Sequence, residues 1–314
     1  MPRAALLCSF LFLSLSAAGQ GFTPSRPVEL VVHSALGGGS DVFARALVEM
    51  IDGEKFLSQP VRVVNKTAGA SAEAMAYLAG KRGDDHTLAV FTNTWLTTPL
   101  TRKDPPHSLR DFTPVARLVL EPTIAVVRAD APYRTLKEFI EEAKRRPGAL
   151  KQAGGSVTAI ESMTGLLLQS ATGAKWTFVS TPAVADRMAN LVAGKVDIVI
   201  PQPQDANEQI AAGKARAIAA ITERRLEALP DVPTVKEQGI SMSIIANVRG
   251  IVAPPAAAAY WEELFARLGR ASSWRKYVAD NQVEDVYLRG AALAPYIEEQ
   301  TALMRRVLRE AGVQ

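Results

Sequence analysis

Strand-like and helix-like patterns alternate along almost the whole chain, and this alternation restricts the possible folds more than any other feature. VELVV, Val28 to Val32, is a short apolar run. Beyond a triple glycine, Val42, Phe43, Ala46, Leu47, Met50 and Ile51 recur on one helical stripe. The unit returns at VRVV (Val61 to Val64), with a helix near Ala70 to Lys81, and leads to TLAVFT (Thr87 to Thr92). A second series starts at IAVV (Ile124 to Val127), with a helix over Leu136 to Arg146, a polar strand near Leu150 to Gly154 and a helix over Ile160 to Ala171. It continues through WTFVS (Trp176 to Ser180), a helix over Val184 to Ala193, VDIVI (Val196 to Ile200), a helix over Gln204 to Ala212 and ARAIAAI (Ala215 to Ile221). GIVAPP (Gly250 to Pro255) predicts one more strand, and helices near Ala256 to Gly269, Ser272 to Asp280 and Ala291 to Ala311 close the chain. Such a succession predicts an α/β protein with parallel sheets covered by helices.

A single sheet would need many strands, so two sheets are expected. Residues 22–122 and 250–314 would form one domain and residues 123–249 the other, with chain crossings near Pro122 and Gly250 and a ligand site between them. Residues 1–21 read differently: Arg3, an apolar core from about Ala4 to Leu15, and the small residues Ser16, Ala17, Ala18 and Gly19 form the pattern of a cleaved secretory signal. The apolar run is shorter than the ~20 residues that span a bilayer. Cys8, the only cysteine, lies inside it, so the exported chain is expected to be periplasmic, free of thiols and stable through its core alone.

Charge restricts partners only weakly. Lys and Arg number 36 against 32 Asp and Glu, and the basic residues sit on helices beside acids, as in LKEFIEEAKRRPG. No aromatic-basic interleaving marks a nucleic-acid surface, and no nucleic-acid partner is expected.

The loops carry the chemistry. SALGGGSD, Ser34 to Asp41, follows a strand and opens a helix, where unpaired amides and the helix dipole favour an anion. Glycines allow close backbone approach, and Ser40 is expected to cap the helix and offer a hydroxyl. No Lys-Ser/Thr follows, as a Walker loop needs, and Val42 stands where a dinucleotide fingerprint needs Gly or Ala. Asp41 would repel phosphate and is read as orienting the loop; a carboxylate held by uncharged donors fits better. GGSVTAIES, Gly154 to Ser162, repeats the grammar in the second series, with Ser156, Thr158 and adjacent amides facing the first loop across the cleft. Two such cradles imply a dicarboxylate, or one carboxylate with a polar tail. FTNTW and VSTPA end two further strands with hydroxyls, Thr92, Thr94 and Thr181 among them, and Trp95 is either pocket wall or core.

These residues, together with the exported N-terminus, resemble the Bug family, the TctC-type periplasmic solute receptors of tripartite tricarboxylate transporters. Gly37-Gly38-Gly39-Ser40-Asp41 with Ala44-Arg45 matches the family's glycine loop; VVNK (Val63 to Lys66), LVAGKVDIVI, AAGKARAIA and LPDVPTVKEQGI match further segments in order. The resemblance covers nearly all the chain beyond residue 21. It implies a two-domain Venus flytrap that holds a ligand carboxylate at Gly37 through Asp41 and at Ser156, Val157 and Thr158, partly through ordered waters. It also implies the membrane components of a transporter as partners and a monomeric receptor. Leu36 replaces the family's proline, Thr67-Ala68-Gly69-Ala70 a Pro-Gly-Ala-Gly stretch, Ser180-Thr181-Pro182 a Pro-Tyr-Lys stretch, and Pro201-Gln202 an Asp-Asn pair, so the resemblance leaves the contacts at the far end of the ligand open.

Catalysis is not expected. His33, His86 and His107 are scattered, and no G-x-S-x-G, H-E-x-x-H or Cys-His set is present. Glu161 and Asp186 read as dipole partners at helix starts. No cofactor and no metal site is expected. A solute receptor for a small organic acid is favoured over a sensory or orphan receptor of the same fold and over a periplasmic hydrolase.

Overall fold

The structure is a computed structural model that describes residues 22–254 and 258–310. The expected signal segment, residues 1–21, lies outside the described residues. From β1 (Val28–Val32) the chain passes through α1 (Gly39–Gly53), β2 (Val61–Asn65), α2 (Ala72–Ala79), β3 (Thr87–Phe91), α3 (Asn93–Leu100) and β4 (Thr113–Glu121). It crosses at Pro122 into β5 (Thr123–Arg128), α4 (Leu136–Arg145), β6 (Lys151–Gly154), α5 (Ile160–Thr172), β7 (Thr177–Ser180), α6 (Val184–Val192), β8 (Ile198–Val199), α7 (Pro203–Ala211) and β9 (Ala215–Ile221). It then returns through β10 (Asn247–Ala253), α8 (Ala258–Leu268), α9 (Ser272–Asn281), β11 (Glu284–Arg289) and α10 (Gly290–Glu310).

Two sheets result, ordered β11-β4-β10-β3-β1-β2 and β7-β6-β8-β5-β9. β1 pairs in parallel with β2 and β3, and β6 with β7 and β8. The expectation of parallel pairing fails elsewhere: β10 runs antiparallel to both β3 and β4, β11 to β4, and β5 to both β8 and β9. The strand that follows each crossing, β5 in the second sheet and β10 in the first, runs opposite to the parallel strands of its sheet, as does the edge strand β11. β4 and β11 were not evident in the sequence. Arg117 interrupts the apolar run of β4, and its Nε donates to the Val286 carbonyl at the irregular register of β11. β10 begins at Asn247, so the chain re-enters the first sheet before Gly250.

Both faces of each sheet are covered. On one face of the first sheet lie Phe43 and Leu47 of α1, Trp261 and Phe265 of α8, and Trp274 of α9. On the other lie α2, α3 and α10, with Ile160, Met163 and Leu167 of α5 in the same cluster as Trp95, Leu293 and Ile297. Thus α5 follows a strand of the second sheet yet buries its leading face against the first lobe. Fully burying such side chains contributes about 1.5–3 kcal/mol each. The second sheet is covered by Leu136 and Phe139 of α4 with Leu168 of α5 on one side, and by Met188, Leu191 and Ala206 of α6 and α7 on the other.

Local chemistry sets the element ends. Thr135 and Glu138 form a capping box that starts α4, and Gly173, with φ of 74°, ends α5 in the left-handed region that glycine adopts without penalty. LPDVPTVKEQGI forms a structural turn. The Glu237 amide donates to Thr234 Oγ1, the Thr234 amide to Glu237 Oε2, and Val235 is buried under the second sheet.

Candidate functional site

The carboxyl ends of β1, β3, β6 and β7 converge on one cavity of about 390 Å³. Its first wall includes His33, Gly38, Gly39, Ser40, Thr92, Thr94, Asn247 and Arg249; its second includes Gly155, Ser156, Glu161, Ser180, Arg187 and Gln202. Open α/β sheets leave helix N-termini unpaired at this end of their strands.

The first wall is a tight turn. Gly37 has φ of 72°, and the Gly38 amide donates to the Ala35 carbonyl at 2.9 Å. Asp41 faces into the loop: its carboxylate accepts from the Gly37 amide, from Asn65 Nδ2 and from both Nε and Nη2 of Arg45, at 2.9–3.0 Å. Burial works to raise its pKa, but these hydrogen bonds outweigh it and hold the group below the usual carboxylate range. The capping role expected of Ser40 belongs to Ser34, whose Oγ accepts from the Asp41 amide at 2.9 Å, while Gly38 is the N-cap residue. Ser40 Oγ instead accepts from Arg249 Nη1 at 3.4 Å, which leaves its own hydroxyl proton free to donate. The amides of Gly39 and Ser40 donate to no described residue.

Arg249 is the principal residue that sequence reasoning missed. It is only 4% exposed, lines the cavity, and is held from behind by Glu121, 1% exposed, through Nε and Oε1 at 2.5 Å. Asn247 Nδ2 donates to the other Glu121 oxygen at 2.6 Å. An isolated buried guanidinium would cost several kcal/mol; this one has a buried carboxylate, and its charge still faces the cavity. A Cβ on Gly39 would lie 2.9 Å from Arg249 Nη2, so the third glycine of the loop makes room for the guanidinium. The signal was present: an arginine within NVRGIVA is a charge in a strand buried along its whole length, and the glutamate ending TPVARLVLE is a second buried charge at a strand end.

His33 adds a neutral donor. Burial, helped by the positive charge of Arg249, pushes its pKa down to about 3. Its Nδ1 accepts from Trp95 Nε1 at 3.1 Å, which assigns the remaining proton to Nε2. Trp95 itself is fully buried and belongs to the core.

The second wall differs. Glu161 Oε1 accepts from the Gly155 amide at 2.7 Å and from Arg187 Nη1 at 2.9 Å. Both Glu161 and Arg187 line the cavity and are buried. The remaining Arg187 nitrogens, Nε and Nη2, donate at 3.4 Å to the carbonyls of Ala183 and Pro182. Glu161, expected to be a simple dipole partner, therefore fills the amide of its own glycine loop. The Thr158 hydroxyl, expected to face the cleft, lies 3.4 Å from Thr98 Oγ1 and 3.2 Å from Ser156 Oγ, while Thr97 Oγ1 donates to the Thr158 carbonyl at 2.7 Å. This stitch ties α3 to the loop before α5.

Of the sequence candidates, Gly38, Gly39, Ser40, Thr92, Thr94 and Ser156 line the cavity. Gly37, Asp41, Val157, Thr158 and Thr181 do not. Gly37 is on the outer side of its turn, Val157 is 63% exposed, and Thr181 is buried with its amide on the Gly154 carbonyl. Asp205, in the first turn of α7, senses both ion pairs; burial, with the charges of Glu121 and Glu161 adding to it against those of Arg187 and Arg249, pushes its pKa up to about 7.

Comparison with known proteins supplies the context. The family described as "Tripartite tricarboxylate transporter family receptor" matches residues 44–313. A UPF0065 protein of Bordetella pertussis is 28% identical over 310 residues, covering 97% of this chain and 95% of that protein. MatC from Rhodopseudomonas palustris, solved with bound malate, superposes with a TM-score of 0.80 at 25% identity, covering 91% of this chain and 99% of that one. The periplasmic binding protein BugD, at 24% identity, has the same two-domain Venus flytrap fold, with a TM-score of 0.83 over 93% of this chain and 99% of its own.

Proposed function

From the premise that the chain belongs to the tripartite tricarboxylate transporter receptor family, whose members are solute-binding receptors rather than enzymes, we propose that it binds a small organic acid in the cavity between its two sheets. The observation that carries this reading is the first wall. The free amides of Gly39 and Ser40, the Ser40 hydroxyl, His33 Nε2 and the Arg249 guanidinium all offer hydrogen to one place. A carboxylate is the small anion such a set recognises, because preorganised charge-assisted donors repay its desolvation. The malate bound by MatC supports the same chemistry.

The ligand-loaded receptor would present its solute to the membrane components of a tripartite transporter, having been exported by the segment before residue 22. Among the described residues no helix is long and apolar enough to cross a membrane. The two sheets joined at Pro122 and before Asn247 would close on the ligand. Native mass spectrometry of the protein purified from its own cells, followed by calorimetry with the released compound, tests the proposal. An organic acid whose binding is weakened by Ser40→Ala supports it; a released compound without an acid group, or binding unaffected by Ser40→Ala, overturns it.

A further inference from the structure

The two walls of the cavity are chemically unlike, although the two loops share one sequence grammar. The first wall presents donors, and the carboxylate that balances Arg249 is behind it: Glu121 does not line the cavity. On the second wall the balancing carboxylate lines the cavity itself. Glu161 spends Oε1 on the Gly155 amide and Arg187, and no described residue donates to its Oε2. Glu161 is 7% exposed, and the spaces it borders are this cavity and a small void beside it. Arg187 stands on the same wall as the counter-charge of Glu161, with one N–H of each nitrogen donated to a protein oxygen and one N–H left on each of Nη1 and Nη2. The Ser180 hydroxyl donates to the Gly155 carbonyl at 2.7 Å, so it too is spent inside the loop.

We infer that the ligand is polar end to end: a carboxylate against Gly39, Ser40 and Arg249, and at the other end a hydrogen-bond donor, an amine, amide or hydroxyl, against Glu161 Oε2. A symmetrical dicarboxylate is the wrong shape of charge for this cavity. Its second carboxylate, set against Glu161 Oε2, would bring acceptor to acceptor with no proton to share, and the charge of Arg187 is already paired with Glu161. A donor in that place satisfies an acceptor that otherwise depends on water. Glu161 becomes a specificity-determining residue. The inference rests on the carboxylate-receptor reading above and goes further by naming the second functional group of the ligand.

The test is calorimetry on wild-type protein, the chain from residue 22 onward, with acids of three to six carbons. Each length is offered as the dicarboxylate, the ω-amino acid, the ω-hydroxy acid and the monoamide. At the best chain length, a donor-terminated acid should bind at least ~10-fold more tightly than the dicarboxylate, and Glu161→Gln should shrink that ratio several-fold or invert it. Equal or tighter binding of the dicarboxylate to wild type overturns the inference and leaves the carboxylate-receptor reading standing. Binding of none of these acids overturns both. The wild-type ratio decides the matter even if Glu161→Gln is poorly folded.

Discussion

SALGGGSD and GGSVTAIES follow the same plan of strand, glycines, hydroxyls and helix, yet they build opposite surfaces. In the first loop the nearby acid, Asp41, turns back to bind Gly37, Asn65 and Arg45, and the amides of Gly39 and Ser40 stay open beside an arginine. In the second the nearby acid, Glu161, turns forward, takes the Gly155 amide and itself lines the cavity. The difference teaches that a glycine-rich helix start is an anion site only when no side chain of its own chain occupies it. One carboxylate a few residues along decides which.

The comparison breaks most severely at Arg249. Arg249→Met removes the cation of the first wall and strands Glu121, buried, without its partner, so stability should fall by about 3–5 kcal/mol. The double variant Glu121→Gln with Arg249→Met should recover most of that stability in urea titration but not ligand affinity. Recovery of both would remove Arg249 from the first wall.

Asp205 is next, because its carboxyl feels the charges of both walls. Its folded pKa, about 7, stands above the unfolded value near 3.8, so the folded state holds more protons between those limits. The associated stability is fully present below about pH 4 and is lost as pH rises through about 7, an effect on the order of 4 kcal/mol. Burial sets the direction, with Arg187 and Arg249 opposing it and Glu121 and Glu161 adding to it. Asp205→Asn should remove this falling contribution, so that the urea midpoint of the variant climbs more steeply with pH between about 4 and 6.5 than that of wild type; an unchanged slope would assign the titration elsewhere. His33, with a folded pKa of about 3 below its unfolded value of 6.5, contributes the opposite slope between those limits: its stability contribution is present above about pH 6.5 and lost as pH falls toward 3.

Removing the Ser40 hydroxyl sharpens the contrast at the level of one hydrogen bond. Ser40→Ala should weaken binding of the cognate acid by about 1.5–3 kcal/mol, the worth of a hydrogen bond to a charged group. Ser156→Ala, on the wall already occupied by Glu161, should cost less than Ser40→Ala. Calorimetry of both variants checks the order, and a larger loss from Ser156→Ala would reverse the assignment of the walls.

Smallest are the glycine replacements. A Cβ at Gly39 would sit 2.9 Å from Arg249 Nη2, the end of a long side chain, and one at Gly155 would sit 3.0 Å from Glu161 Oε1. Gly39→Ala should displace the guanidinium and weaken acid binding about 10-fold, equivalent to about 1.4 kcal/mol. Gly155→Ala should leave affinity for a simple monocarboxylate within a few-fold of wild type and alter selectivity for the distal group. Equal effects of the two on a monocarboxylate would argue that both loops touch it.

Much of the fold was legible in the residues. Val28 to Val32, Leu136 to Arg145 and Ala215 to Ile221 carry periodicities that only one kind of element can satisfy, and they form the expected elements. β11, EDVYLR, was not legible because it lies at the edge of its sheet, half exposed, with charged residues at both ends. β4 was hidden by Arg117, whose charge is settled by a carbonyl 169 residues away.

By itself the sequence determined the alternation of strands and helices, the two glycine loops and their place at strand ends, since these depend on side-chain periodicity and on backbone freedom within a few residues. Tertiary structure alone decided what the loops offer to a ligand. Glu121 and Arg249 are 128 residues apart and Glu161 and Arg187 are 26 apart, so no local pattern pairs them. A buried charge must find its counter-charge wherever the fold brings one within reach. The direction each carboxylate then faces, behind the wall or into the cavity, follows from how the two sheets enclose the space between them.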